Sequence, residues 1–257
     1  HVIHLGALIA IPYSYKSAHE YVVTNVEGTL NVLESARELK VKKVIHTSTS
    51  EVYGSAKKIP IYENHPINPQ SPYAASKAAA DNLVNSYYKL FNLPVITLRP
   101  FNNFGPRQSL RAIIPTIITQ IIKNKKQIML GNIKTTRDFT FVSDTVNAYL
   151  LALKNKKCIG KTLNIGNNFE ISIKEIFKEV ERISEKKVKL VLDKKRFRPK
   201  NSEVDRLYSS NLKAKKLLNW KPKYSGLKGF KLALIETYKW YQKKENIQHF
   251  KINFYNQ

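Results

Sequence analysis

The hydrophobic pattern of this chain changes period several times. Short apolar runs punctuated by Pro, Gly or polar residues alternate with longer stretches whose apolar positions return at helical spacing. His1 to Ala7 reads as a strand ending at Leu5-Gly6-Ala7. From Ser17 to Lys40, the positions Val22, Val26, Leu30, Leu33 and Ala36 predict an amphipathic helix lying over a sheet. Lys42 to Thr47 predicts a strand apolar enough to be covered on both faces. Pro60, Pro66 and Pro69 break Ser55 to Ser71 into a loop, and Ser71-Pro72 is a start signal for a helix running to Phe91.

Further along, Pro94 to Arg99 predicts a strand, Ala112 to Ile122 a helix, and Ile128 to Leu130 a short strand. Val142 to Leu153 predicts a helix with Asp144 near its start as an electrostatic cap. Thr162 to Gly166 predicts a further strand ending in a turn. Ile173 to Ser184, Lys187 to Leu192, Asn211 to Leu218 and Gly226 to Lys243 complete a small mixed lobe. Strand and helix patterns in alternation predict an α/β fold with a doubly wound, parallel, Rossmann-like sheet and a smaller lobe.

Composition narrows the function classes. A length of 257 residues accommodates one sizeable core and a second, smaller lobe. The formal charge of +25 raises nucleic acid or an anionic membrane as partner. The lysines, however, are scattered through every segment, and there is no basic amphipathic helix or nucleic-acid motif. A positive field still suits an anionic small molecule. Cys158 is the sole cysteine, which excludes an internal disulfide framework and a thiolate cluster for zinc, and fits a reducing cytoplasm. No apolar run approaches a membrane span, no signal-peptide pattern stands at the front, and the dispersed His residues suggest no metal site.

Candidate chemistry gathers between Ser48 and Lys77. Thr49, Ser50 and Glu51 follow the apolar run Val44-Ile45-His46, so they are expected just past the carboxyl end of a buried strand, where open parallel sheets bind ligands. Tyr73 and Lys77 stand at i, i+4 on the predicted helix, placing a phenol and an ammonium on one face. A neighbouring cation favours the phenolate, preparing the phenol to take a proton from an alcohol. Such pairs also occur on ordinary helix surfaces. The context separates this one: a strand, a Ser/Thr motif at its end, a Pro-punctuated loop, then a helix opening on the pair.

These motifs resemble the extended short-chain dehydrogenase/reductases, specifically the NAD-dependent nucleotide-sugar epimerases and dehydratases. Further matches are Asn25 to Leu33, Arg99 to Arg107 and Arg137 to Asp144. The resemblance implies a catalytic set of Thr49, Ser50, Glu51, Tyr73 and Lys77. It implies NAD contacts from Leu5, Gly6, Ala7, Thr47, Ser48, Tyr73, Lys77, Pro100 and Phe101, and substrate contacts from Ser14, Asn102, Arg107, Arg137 and Arg198. Arg111 and Arg196 are weighed with these arginines, because a diphosphate calls for planar, permanently charged donors. By the same resemblance, Asn25 braces neighbouring strands, and the helices over 17–40 and 72–91 pair with their copies in a homodimer.

No glycine-rich phosphate-binding turn occurs in the chain. Read against the family pattern, the sequence is expected to be a fragment lacking the first three strands and the Gly-rich loop of the sheet. The expected division is 1–104 with 139–166 as the NAD-binding part, 105–138 with 167–247 as the substrate lobe, and 248–257 as a tail.

Glu51 separates the reactions that the family supports. The resemblance implies that Tyr73 takes the proton of the sugar C4 hydroxyl as hydride leaves C4 for NAD, with Thr49 on the oxygen and Lys77 holding Tyr73 and the nicotinamide ribose. A C4 ketone acidifies C5–H, so a carboxylate there can remove that proton and assist loss of water from C6, after which hydride returns to C6. A simple 4-epimerase needs no such acid. Ser50 either assists departure of the C6 hydroxyl or leaves that duty to Glu51. Gly105 to Gln120 and Ile9 to Tyr15 resemble the N-acetylglucosamine-nucleotide 4,6-dehydratase of legionaminic-acid-type sugar biosynthesis. The expected activity is therefore a nucleotide-sugar 4,6-dehydratase acting on a nucleotide-diphosphate sugar. The alternatives are a 4-epimerase, a UDP-glucuronate decarboxylase-like enzyme, and an inactive sugar-nucleotide-binding fragment.

Overall fold

A computed structural model describes residues 1–123, 126–248 and 250. All but the first residue and Phe250 of the expected tail lie outside the described residues. Four strands, β1 (Val2–His4), β2 (Val44–Thr47), β3 (Val95–Pro100) and β7 (Thr162–Ile165), form one sheet in the order β1-β2-β3-β7 with every pairing parallel. The register aligns His4 with His46 and His46 with Thr97. The carboxyl ends of β1, β2 and β3 therefore open side by side.

Both faces of this sheet are covered, as the continuous apolar strands require. On one face, α3 (Gly28–Glu38) and α4 (Pro72–Phe91) bury Leu33, Ala36, Val84 and Tyr87 against Val44 and Val95. On the other, α6 (Val142–Lys154) and α8 (Leu212–Leu218) bury Ala148, Tyr149, Ala214 and Leu218 against Ile45, Ile96, Leu98 and Leu163, with Trp220 sealing the edge. The α/β, parallel, Rossmann-like expectation is met.

A second sheet runs β10-β6-β4, where β4 is Asn102–Phe104, β6 is Thr136–Phe141 and β10 is Arg206–Leu207. Its pairings are parallel, and β8 (Glu170–Ser172) adds antiparallel to β6. A separate pair joins β5 (Gln127–Leu130) to β9 (Lys189–Leu192). The core of this lobe packs α5 (Ile113–Ile122), α7 (Ile173–Ser184) and α9 (Gly226–Gln242) around Phe104, Phe139 and Phe141. The apolar stripe of α7 explains its docking, and a capping box between Ser172 and Glu175 fixes its start.

The long helix expected from Ser17 to Lys40 is interrupted. It consists of α2 (Ala18–Val22), a π-turn over Val23–Glu27, and α3. Asn25 lies in that wider turn, fully buried, and brackets the Leu8 peptide: Leu8 N–H donates to Oδ1 and Nδ2 donates to the Leu8 carbonyl, both at 2.9 Å. Its Nδ2 also lies 2.9 Å from Ser76 Oγ. Asn25 is a brace, but it joins the loop after β1 to the helix α4, where the resemblance implied strands. Asp144 does sit in the first turn of α6, yet its carboxylate accepts the Lys223 and Tyr224 N–H groups at 2.8 and 2.9 Å. Burial directs that charge to fixed backbone donors, tying the two lobes together.

Candidate active site

Ser71 begins α4. Its Oγ accepts the Ala74 N–H at 3.1 Å, and Pro72 occupies the first helical position, where its missing N–H costs nothing. That cap fixes the helical phase and turns Tyr73 and Lys77 inward, at 8% and 2% exposure. Thr49 ends the strand β2 side of the site and caps the short 3₁₀ turn Ser50–Tyr53, accepting the Glu51 N–H at 3.2 Å. Thr49, Ser50, Glu51, Tyr73 and Lys77 are all buried and gather at one end of the first sheet.

Electrostatics adds detail. Burial raises the Tyr73 phenol above its ordinary value; a hydrogen bond with Thr49 opposes this, while the charges of Glu51 and Asp81 reinforce it. The neighbouring Lys77, expected to lower the phenol, does not bring it below its ordinary value. Burial instead brings Lys77 itself down to about 8, opposed by Asp81. The Lys77 ammonium has no hydrogen-bond or ion-pair partner among the described residues. The same Glu51 carboxylate that bears on Tyr73 also raises Arg137, whose proton affinity burial lowers overall. Glu51 is therefore on the side of α4 and within electrostatic reach of Arg137, one of the candidate arginines.

Those arginines line a cleft of about 250 Å³. Arg111, Arg137, Arg196 and Arg198 face it with Asn102, Gln108 and Glu203. Arg137 is carried inward by β6, and Asn102 comes from β4, which the register places beside Phe139. Asn102 Oδ1 and Gln108 Oε1 are buried without a hydrogen-bond partner among the described residues. Arg107 is elsewhere: it sits exposed in the turn after Gly105, at φ 66°, and does not line the cleft.

The remaining expected contacts divide. Leu5 is 66% exposed, and a Cβ built on Gly6 meets nothing within 4 Å, so this strand end is open to a ligand. Ala7 is half-buried beside it. Thr47 and Ser48 already use their hydroxyls: Tyr149 OH lies 2.9 Å from Thr47 Oγ1, and Ser48 Oγ donates to Asp81 Oδ2 at 2.8 Å. Ser14 Oγ likewise donates to the Ile11 carbonyl at 2.7 Å, within its own turn. Pro100 and Phe101 are buried at the end of β3, with Phe101 N–H donating to Ile165 at 2.9 Å.

Sequence reasoning passed over Asp81, which follows Lys77 by one more helical turn on the same face. Its carboxylate accepts from Ser48, from Arg99, and shares a hydrogen bond with His46 Nε2 at 3.2 Å. Arg99 in turn donates Nη1 to Tyr53 OH at 2.9 Å, and Tyr53 OH donates to Asn164 Oδ1 at 2.7 Å. This buried chain links α4 to β2, β3 and β7. The spacing Tyr73, Lys77, Asp81 was the available signal. Glu203 was also passed over, and nothing in its local sequence marks it.

Comparison with known proteins now fits this geometry. The family described as GDP-mannose 4,6 dehydratase matches residues 1–232. The chain belongs to that family. A human dTDP-D-glucose 4,6-dehydratase is 35% identical over 257 residues, covering 97% of this chain and 70% of the human protein. A dTDP-glucose 4,6-dehydratase from Streptomyces venezuelae, solved with NAD and TYD bound, superposes with a TM-score of 0.86 at 28% identity, covering 97% of this chain and 74% of that one. A UDP-glucuronic acid 4-epimerase from Bacillus cereus, solved with UDP-glucuronic acid and NAD, gives a TM-score of 0.85 at 31% identity, covering 93% and 74%. The similar proteins thus include both reactions that Glu51 was expected to separate. Among the described residues, no helix is long and apolar enough to cross a membrane.

Proposed function

We infer that the chain acts as an NAD-dependent nucleotide-sugar 4,6-dehydratase on a nucleotide-diphosphate sugar of the N-acetylglucosamine type. One observation carries this reading: Glu51 is buried in the short Thr49-capped turn that leaves β2, at the same end of the sheet as Tyr73 and near enough for its charge to bear on both Tyr73 and Arg137. An oxidation at C4 alone has no use for that acid. Removal of the C5 proton and departure of the C6 hydroxyl do.

The residues present suit the nicotinamide-ribose end of NAD, while a glycine-rich turn for its pyrophosphate is not among them. The exposed Leu5-Gly6 strand end admits a ribose close to the backbone, and the unpartnered Lys77 ammonium offers donors to its hydroxyls. Bound there, NAD would accept hydride from the sugar and return it. Tyr73 takes the C4 hydroxyl proton, and Thr49 holds that oxygen through its hydroxyl. Glu51 takes the C5 proton, with Ser50 at the next position to hydrogen-bond the C6 hydroxyl. Arg137, Arg198 and Asn102 bind the diphosphate. The exposed apolar residues Val22, Val23, Leu90 and Phe91 support the pairing of the helical stretches 17–40 and 72–91 with their copies in a homodimer.

The Bacillus cereus neighbour favours one second reading, a 4-epimerase. Incubation with NAD and UDP-N-acetylglucosamine, followed by mass spectrometry, separates the two. A product lighter by one water supports the dehydratase; a product of unchanged mass with inverted C4 sinks it.

A further inference from the structure

Two guanidinium groups in the cleft converge on a single carboxylate oxygen. Glu203 Oε1 lies 3.4 Å from Arg137 Nη2 and 3.8 Å from Arg198 Nη1. Both separations exceed those of a well-formed charge-assisted hydrogen bond. Arg198 Nη1 is buried and has no hydrogen-bond partner among the described residues. Arg137 is anchored from behind, with Nη1 donating to the Thr136 and Asp205 carbonyls at 2.9 and 3.3 Å, which leaves Nη2 directed at Glu203.

The segment carrying Glu203 is itself clasped. Tyr15 OH lies 2.6 Å from Ser202 Oγ, and Gln70 Nε2 donates to the Asn201 carbonyl at 3.0 Å. These contacts hold the backbone on the approach to Glu203 beside the arginines. Of the other cleft arginines, Arg196 is engaged by Asp193 at 3.1 Å. Glu203 is the one carboxylate among the residues that line the cleft.

We propose that Glu203 is a built-in counter-anion: its carboxylate sits where Arg137 and Arg198 would grip a ligand's diphosphate, and it yields that place when the ligand binds. The proposal rests on reading the cleft as a sugar-nucleotide site. Without an anion, two neighbouring guanidinium groups removed from water repel each other, and Glu203 offsets that repulsion. A diphosphate has more oxygens than one carboxylate and can satisfy both forks at hydrogen-bond distance, which Glu203 does not. Once it is seated, Glu203 becomes a like charge beside it. The carboxylate therefore sets the affinity of the cleft, keeping it weaker than the arginines alone would make it.

Calorimetric titration of the full chain with UDP and with dTDP, at low and moderate salt, tests this. Glu203→Gln is expected to bind both about 3- to 10-fold more tightly and with a steeper salt dependence, as loss of one partly solvated like charge predicts. Glu203→Asp, which keeps the charge, is expected to retain the wild-type affinity and salt slope. Arg198→Gln is expected to bind about tenfold more weakly. If Arg198→Gln weakens binding but Glu203→Gln binds no tighter than wild type, or Glu203→Asp behaves like Glu203→Gln, the counter-anion role is overturned and the sugar-nucleotide reading survives. If wild type binds neither nucleotide, or Arg198→Gln binds as well as wild type, both fall.

Discussion

Asp81 Oδ2 accepts two hydrogen bonds from Arg99, from Nε at 3.0 Å and from Nη2 at 2.9 Å, with both side chains about nine-tenths buried. An ion pair this enclosed contributes little net stability as a pair, yet removing one member strands the other's charge. Asp81→Ala should therefore destabilise the chain by about 3–5 kcal/mol. The double variant Asp81→Ala/Arg99→Leu should cost less than the sum of the single changes, since no charge is left alone. Urea unfolding of the four members of the cycle measures this directly.

Glu51→Gln separates binding from chemistry. The amide keeps the shape of the side chain and cannot take the C5 proton, so dehydration should fall by about 10²- to 10⁴-fold. Substrate affinity should change little. Tyr73→Phe should lose turnover to a similar degree. Deuterium incorporation at C5 from heavy water, followed by mass spectrometry, should disappear in Glu51→Gln.

Lys77 carries a stability cost that depends on pH. Its proton is held less tightly in the folded chain, at about 8, than at the ordinary value of 10.5. The unfolded chain thus binds more protons across that window, and stability relative to a non-titrating variant rises with pH. The cost is full below about 8 and fades toward 10.5. Lys77→Met should be more stable than wild type at pH ~7 by on the order of 1–3 kcal/mol, and inactive. Thermal unfolding of both proteins should show the gap narrowing as the pH rises through that window.

Asp138 anchors a turn of the second sheet. It accepts from Ser209 Oγ at 2.5 Å, Ser209 N–H at 3.2 Å and Asn167 N–H at 2.7 Å, and burial pushes its carboxyl up to about 6. Asp138→Ala leaves these donors buried without an acceptor and should cost roughly 2–4 kcal/mol. Just after the turn Ser50–Tyr53, Gly54 has φ +63°, and a Cβ there would meet the Asn68 carbonyl oxygen at 2.0 Å. Gly54→Ala should cost about 2 kcal/mol or more, read by the same unfolding experiment.

What could be read from the sequence follows from where burial and charge agree. The strands of the first sheet are apolar runs between punctuation, so their pattern and their burial coincide. Tyr73 and Lys77 were legible because a helix turns a spacing into a shared face. β6 was legible as chemistry but not as a strand. Thr136–Phe141 carries Arg137 and Asp138 side by side, both buried, and adjacent charges ordinarily mark a solvated loop. The π-turn at Val23–Glu27 was hidden because the apolar residues keep their helical rhythm through it, and only the tertiary bonds of Asn25 reveal the widened turn. Asp81 and Glu203 looked like any polar surface positions, since their partners come from distant parts of the chain.

The Ser71 cap has a further consequence for how this site tolerates change. It sets the rotational origin of α4 at the mouth of the Pro-rich loop, so residues gained or lost ahead of Ser71 leave the direction of every later side chain intact. One residue inserted between Tyr73 and Lys77 would instead swing everything downstream by about 100°, uncoupling phenol from amine and turning Asp81 away from Arg99. Length variation can collect on one side of that serine and is shut out on the other.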